Sequence, residues 1–220
     1  FKGKTELVNM SKKNNPRADD HYTLKAKKEG YPARSVYKLM EIQKKFRILD
    51  RSSSVLDIGA APGSWSLYLI RELGDKSAIT AVDLLPLDPA CKGDNFFFIQ
   101  GDAFSEANIA SILDKGPYNT VLSDAAPSTT GNKTVDTERS FQLVSSVLDL
   151  AEKILMPGGN IAVKIFQGGD EKELMNRMKK MFTAVKSFKP EAVRKMSFET
   201  YLVGTGFIRR RKNPDTEVRE

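Results

Sequence analysis

Cysteine and histidine are almost absent: the 220 residues hold one of each, Cys91 and His21. A lone cysteine allows no internal disulfide and no cysteine-rich metal site, and gives no sign of an oxidising compartment. A lone histidine leaves too little for a Ser-His-Asp triad or a His-based zinc centre. No apolar run approaches the roughly 20 residues that cross a bilayer, so no membrane partner is expected. No secretory signal pattern is visible either. The chain opens on Phe1 and not Met, so further residues are expected upstream.

The residues that are present suit one sizeable α/β domain, with an ordinary hydrophobic content of 40%. The net charge of +7 is unevenly spread. Residues 1–51 hold 14 Lys/Arg and 6 Asp/Glu, a net of +8, whereas residues 52–220 hold 21 and 22, a net of −1. A solvated basic tail explains this blandly. A docking arm for a polyanion such as nucleic acid explains it more sharply.

Residues 1–20 are polar, basic and aperiodic, and read as a flexible arm. Residues 21–220 read as a single domain. It opens on a helix over about 33–47, where Val36, Leu39, Met40 and Phe46 form an apolar stripe. Arg34, Lys38, Glu41 and Lys45 form a second, mostly basic stripe, which is expected to touch phosphates through Arg34, Lys38 and Lys45. Strands and helices then alternate, with strands near 54–58, 78–82, 96–99, 119–123 and 160–166. Pro157-Gly158-Gly159 reads as the turn into the fifth of these. A helix over about 170–182 precedes two final strands near 184–188 and 198–206. That order predicts a seven-stranded, mostly parallel sheet with an antiparallel C-terminal strand and helices on both faces.

In such sheets ligands bind at the carboxyl ends of the strands. Asp57-Ile58-Gly59-Ala60-Ala61-Pro62-Gly63-Ser64-Trp65 makes a strand–turn–helix junction there. Its glycines let a ligand approach the backbone. It is neither the Gly-x-Gly-x-x-Gly of dinucleotide binders nor a P-loop, since no Gly-Lys-Ser/Thr closes it. Asp83 ends the second strand and can accept hydrogen bonds from ribose hydroxyls. Gln100-Gly101-Asp102 ends the third and can meet an adenine amino group. Each is weak alone, because acids and turns at strand ends are common; together they argue for an adenosine-type cofactor. Asp124 closes the fourth strand beside the glycine loop. Lys164 lies inside the apolar strand Asn160-Ile161-Ala162-Val163-Lys164-Ile165-Phe166-Gln167, where an isolated lysine is seldom buried.

The junction sequence, Ser123-Asp124-Ala125-Ala126-Pro127, the Val163–Gly168 segment and Ser197-Phe198-Glu199-Thr200-Tyr201 together resemble the FtsJ/RrmJ family of S-adenosylmethionine-dependent RNA ribose 2′-O-methyltransferases. Lys27 to Leu39 also resembles that family's N-terminal helix, and the likeness runs in order from about residue 19 to 208. Ser64 departs from a common glycine. The resemblance implies a Rossmann-like methyltransferase fold and a catalytic set of Lys38, Asp124, Lys164 and Glu199. It implies a cofactor site of Asp57, Gly59, Ala60, Pro62, Gly63, Trp65, Asp83, Leu84, Asp102, Ala103 and Asp124. The nearest branch implies a uridine of large-subunit ribosomal RNA as target, a monomeric protein, and a cytoplasmic location, or an organellar or nuclear one in a eukaryote. Alternatives are methylation of a tRNA anticodon loop or mRNA cap, or a silent ribosome-assembly factor. Rival chemistries lack their residues. Exocyclic amine methylation uses Asp/Asn-Pro-Pro-Tyr/Phe where this chain has Ser-Asp-Ala-Ala-Pro, and Cys91 lies far from the strand end that C5 methylation would need.

Two roles stay open for Lys164. As a neutral amine it accepts the hydroxyl proton; burial and the charge of Lys38 favour that form, while Asp124 and Glu199 oppose it. As a cation it orients the hydroxyl.

Overall fold

The computed structural model describes residues 16–194 and 196–209. Two helices, α1 (Pro16–Lys28) and α2 (Val36–Phe46), precede the sheet. Then follow β1 (Ser54–Ile58), α3 (Ser64–Leu73), β2 (Ala78–Asp83), β3 (Phe96–Gln100), α4 (Glu106–Lys115) and β4 (Tyr118–Ser123). The chain closes with α5 (Lys133–Ile154), β5 (Leu155–Phe166), α6 (Glu171–Met181), β6 (Phe182–Phe188) and β7 (Glu199–Phe207). Residues 1–15 of the expected arm lie outside the described residues, and positions 16–20 open α1.

The strands form one seven-stranded sheet in the order β3-β2-β1-β4-β5-β7-β6. β1 to β5 pair in parallel, and β7 runs antiparallel to both β5 and β6. Alternation along the strands divides the core into two layers. Leu56, Val121, Ile161, Val163 and Leu202 face α4, α5 and α6, packing with Ile112, Leu148 and Met178. Val55, Leu122, Ala162, Tyr201 and Val203 face α1, α2 and α3, packing with Leu39, Ile42 and Leu69. Val36, Leu39 and Ile42 are completely buried, and each such burial contributes about 1.5–3 kcal/mol. Truncating Leu39 to alanine removes more, about 2–5 kcal/mol, because a cavity remains.

Two features depart from the sequence reading. α1 has no apolar stripe; it is held by the Tyr22 ring, 5.3 Å from that of Tyr37, and by buried Ala26. Pro157, Gly158 and Gly159 do not precede β5 but bulge within it. Tyr118 faces Leu155 and Thr120 faces Asn160, and Gly158 takes a left-handed φ of 81°.

The strand order reverses between β1 and β4, since β2 and β3 lie to one side and β5 to the other. Loops leaving adjacent strands diverge at such a point and open a crevice. The ends of β1, β2, β4 and β5 all reach it.

Candidate active site

The loop after β1 is shaped by two glycines. Gly59 has φ 76°, and a Cβ there would lie 2.5 Å from the Ala125 Cα. Any side chain would therefore push the loop off the segment that carries Asp124. Gly63 has φ 108°, with the Cys91 Sγ where its Cβ would be. Asp83 ties this loop to β2: its Oδ2 accepts the Ala61 N–H at 2.9 Å and its Oδ1 the Leu85 N–H at 2.8 Å. Leu84 beside it is an exposed apolar surface, while Ala60 and Ala103 are buried. The Pro62 carbonyl accepts the Asp88 N–H, folding the chain after β2 over the loop. Asp102 uses Oδ1 to accept the Phe104 N–H at 3.0 Å and so caps its own turn.

Asp57 lies beneath the loop with no solvent exposure. Its Oδ2 accepts the Ser66 hydroxyl at 2.7 Å, and its Oδ1 has no partner. Burial pushes its carboxyl up to about 7; the Ser66 hydroxyl opposes this, and the nearby Asp124 and Asp83 add to it. An orphaned buried acceptor calls for a donor. Three carboxylates gathered on a glycine cradle fit a ligand with a cationic end and ribose hydroxyls.

The four expected catalytic side chains converge at the adjoining strand ends. Register places Ser123 opposite Val163, so Asp124 follows on β4 beside Lys164 on β5. The Lys164 Nζ lies 3.1 Å from the Asp124 Oδ1 and also donates to the Asp124 carbonyl. α2 delivers Lys38, whose Nζ lies 2.6 Å from the Glu199 Oε1 and 3.9 Å from the Asp124 Oδ1. The side chains of all four are 10–15% exposed. Charges alternate along Glu199, Lys38, Asp124 and Lys164, so each buried charge faces an opposite one. A cleft of about 490 Å³ opens over this ion pair, walled by Arg34, Arg194, Met196 and Ser197.

A family model, FtsJ-like methyltransferase, matches residues 31–207. The chain belongs to the FtsJ-like methyltransferase family. It is 50% identical to the ribosomal RNA large subunit methyltransferase E of Treponema denticola, over 89% of this chain and 98% of that one. The protein of the same name from Borreliella afzelii is 48% identical over 86% of this chain and 98% of that one. Among solved structures, a putative ribosomal RNA methyltransferase from Plasmodium falciparum matches with TM-score 0.69 and 33% identity, covering 80% of this chain and 98% of that one.

Several side chains of this FtsJ-like methyltransferase stand where the sequence did not point. Tyr201 lies opposite Lys164 in the β5–β7 register, and its hydroxyl donates to the Asp124 Oδ1 at 2.6 Å. Complete burial, then the charges of Asp124 and Glu199, hold this phenol well above its usual range, so it remains a donor. The signal was available, because residues two apart on a strand share a face and Glu199 was already singled out. Trp65 is buried, and its indole N–H donates to the Ser35 carbonyl at 2.8 Å, pinning α3 to the start of α2. Ser64, the departure from glycine, accepts the Ala33 N–H at 2.7 Å in the same junction. Of the stripe expected to meet phosphates, Lys45 is exposed and Arg34 lines the cleft, and both also hold neighbouring elements. Arg34 donates to the Ala192 carbonyl at 2.8 Å, and the Lys45 ammonium lies 4.3 Å from the centre of the Phe188 ring.

Proposed function

We propose that the protein transfers a methyl group from S-adenosylmethionine to the ribose 2′-hydroxyl of a uridine in large-subunit ribosomal RNA. The observation that carries this reading is the alternating Glu199–Lys38–Asp124–Lys164 set beside the glycine loop. The names of the relatives at 50% and 48% identity support the choice of RNA.

The donor, when bound, supplies a methyl already activated on a sulfonium. Asp83 accepts from its ribose hydroxyls, using the lone pairs its two backbone contacts leave free. Leu84 offers an apolar face to the adenine, and Asp102 meets the adenine amino group. The Asp57 carboxylate, beneath the loop, draws the ammonium end electrostatically, with water able to join it to the Oδ1. On the opposite side Lys164 holds the 2′-hydroxyl in line. With the donor bound, a lone pair of the hydroxyl oxygen that Lys164 and Asp124 orient would take the methyl, and the C–S pair would stay with sulfur. The hydroxyl proton passes to the Lys164 amine when that amine is neutral, or to solvent water after the O–C bond has formed when it is charged. Asp124 and Tyr201 fix Lys164; Lys38 and Glu199 close the site toward the cleft. Alignment of this kind is worth several kcal/mol, up to about 7–11 in ideal cases. The protein works as a monomer in the cytoplasm on this reading, with residues 1–20 as a basic arm on RNA.

The test is incubation with unmodified large-subunit RNA, free and in assembled subunits, and a methyl-labelled donor, followed by ribose-methylation mapping. One 2′-O-methyluridine is expected. Label on a base, or no label on the large-subunit RNA in either form, overturns the reading.

A further inference from the structure

Arg34, Lys38 and Glu41 succeed one another at about one-turn spacing, so they share one side of the α2 segment. That side faces the connection between β6 and β7. The Glu41 carboxylate accepts the N–H of Glu191 at 2.6 Å and that of Ala192 at 2.9 Å. Arg34 grips the same place from its other side, through the Ala192 carbonyl. Ala192 is fully buried, so its backbone groups cannot turn to water in exchange.

From this clamp the chain runs to Glu199 through a turn that is itself bonded. The Ser197 N–H donates to the Arg194 carbonyl at 2.9 Å, and the Lys189 ammonium to the Ser197 carbonyl at 2.7 Å. The Glu199 N–H then donates to the Ser197 Oγ at 3.2 Å, and the Gln167 N–H anchors the Phe198 carbonyl at 2.7 Å. Glu41, three positions from Lys38 on one helix, is thus linked through the chain after Ala192 and its local hydrogen bonds to the residue whose carboxylate Lys38 meets.

We infer that Glu41 is a positioning residue for methyl transfer: by holding the 191–192 backbone against α2, it sets the contact between Lys38 and Glu199. This rests on the proposed function. A carboxylate accepting two backbone N–H groups makes charge-assisted bonds stronger than neutral ones. Removing it leaves two donors without their acceptor and frees the connection to shift relative to Lys38.

The test compares Glu41→Ala and Glu41→Gln by single-turnover transfer at saturating RNA, by cofactor calorimetry, and by amide hydrogen exchange over residues 190–202. Glu41→Gln keeps one acceptor oxygen and serves if the alanine variant does not fold. Loss of the pair of bonds lowers the rate about tenfold, with a smaller loss for glutamine and unchanged cofactor affinity. Exchange over 190–202 accelerates. Placed in a Glu199→Ala background, Glu41→Ala adds no further loss of rate. An equal loss in both backgrounds shows general destabilisation and overturns the inference, as does unchanged exchange. A wild-type protein that methylates no ribose defeats the functional reading alone; faster exchange in the variants then still supports the clamp.

Discussion

Lys38 on α2 and Glu199 on β7 meet at 2.6 Å, joining a helix that precedes the sheet to the strand that ends it. The same ammonium lies 3.9 Å from Asp124, so Lys38 separates two carboxylates as well as binding one. Without it, Asp124 and Glu199 face each other at low exposure with one cation fewer between them.

Lys38→Ala therefore lowers the single-turnover rate at saturating RNA. The expected loss is at least tenfold, because Glu199 and Asp124 lose the cation that holds them in place; breaking the buried pair also costs about 3–5 kcal/mol of stability. Raising the RNA concentration does not restore it. Full recovery at high RNA would reduce Lys38 to a phosphate contact.

Asp83→Ala weakens cofactor binding by about 1–3 kcal/mol, the range for leaving buried polar partners unmatched. It also lowers thermal stability, because the Ala61 and Leu85 N–H groups both lose their acceptor. Calorimetry that finds unchanged affinity removes Asp83 from the cofactor site.

Asp57 gives a pH signature. Its carboxyl is raised to about 7 in the fold, against about 3.9 for a free aspartate. Between those values the native state holds a proton that the unfolded chain has released, so this group's contribution to stability falls as pH rises through that window. A cationic ligand end beside the Oδ1 favours the charged carboxylate. Cofactor binding near pH 6 therefore releases protons, seen as a dependence of binding enthalpy on buffer ionisation heat. Asp57→Asn abolishes that dependence; its persistence in the variant would locate the titration elsewhere.

Much of this was legible in the sequence because it is local. Alternating strands and helices gave the sheet, and the glycines and acids at strand ends gave the crevice. Lys164 stood out as a charge within an apolar strand, and Asp124 ended the strand before it. What escaped depends on distant partners. The side chain of Glu41 has the same appearance whether it faces solvent or, as here, the backbone of Glu191 and Ala192. Helical spacing shows that Arg34 and Lys45 share a face, but not that they also meet the Ala192 carbonyl and the Phe188 ring. α1 was missed because Tyr22, Ala26 and the Lys25 ammonium on the Tyr37 ring make contacts without a periodic apolar stripe.

Asp136 sets the opposite pH dependence. Its buried carboxylate accepts the Thr130 N–H at 2.7 Å, the Thr130 hydroxyl at 2.8 Å and the Gly131 N–H at 3.2 Å. The Thr130 backbone bond leads in holding its pKa below the usual value. The resulting stability is present above the unfolded value of about 3.9 and is lost as pH falls through the folded one. Melting temperatures of wild type and Asp136→Asn should differ at pH 7 and converge on acidification. A constant gap would show that Asp136 keeps its ordinary titration.

The central claim is that Lys164 acts on the ribose hydroxyl and does not hold the fold. The most direct measurement is single-turnover methyl transfer by Lys164→Ala, with cofactor affinity by calorimetry on the same preparation. A rate lowered by about 10²-fold or more is expected, with S-adenosylmethionine affinity within a few-fold of wild type. A near-normal rate, or loss of cofactor binding together with the fold, would contradict it.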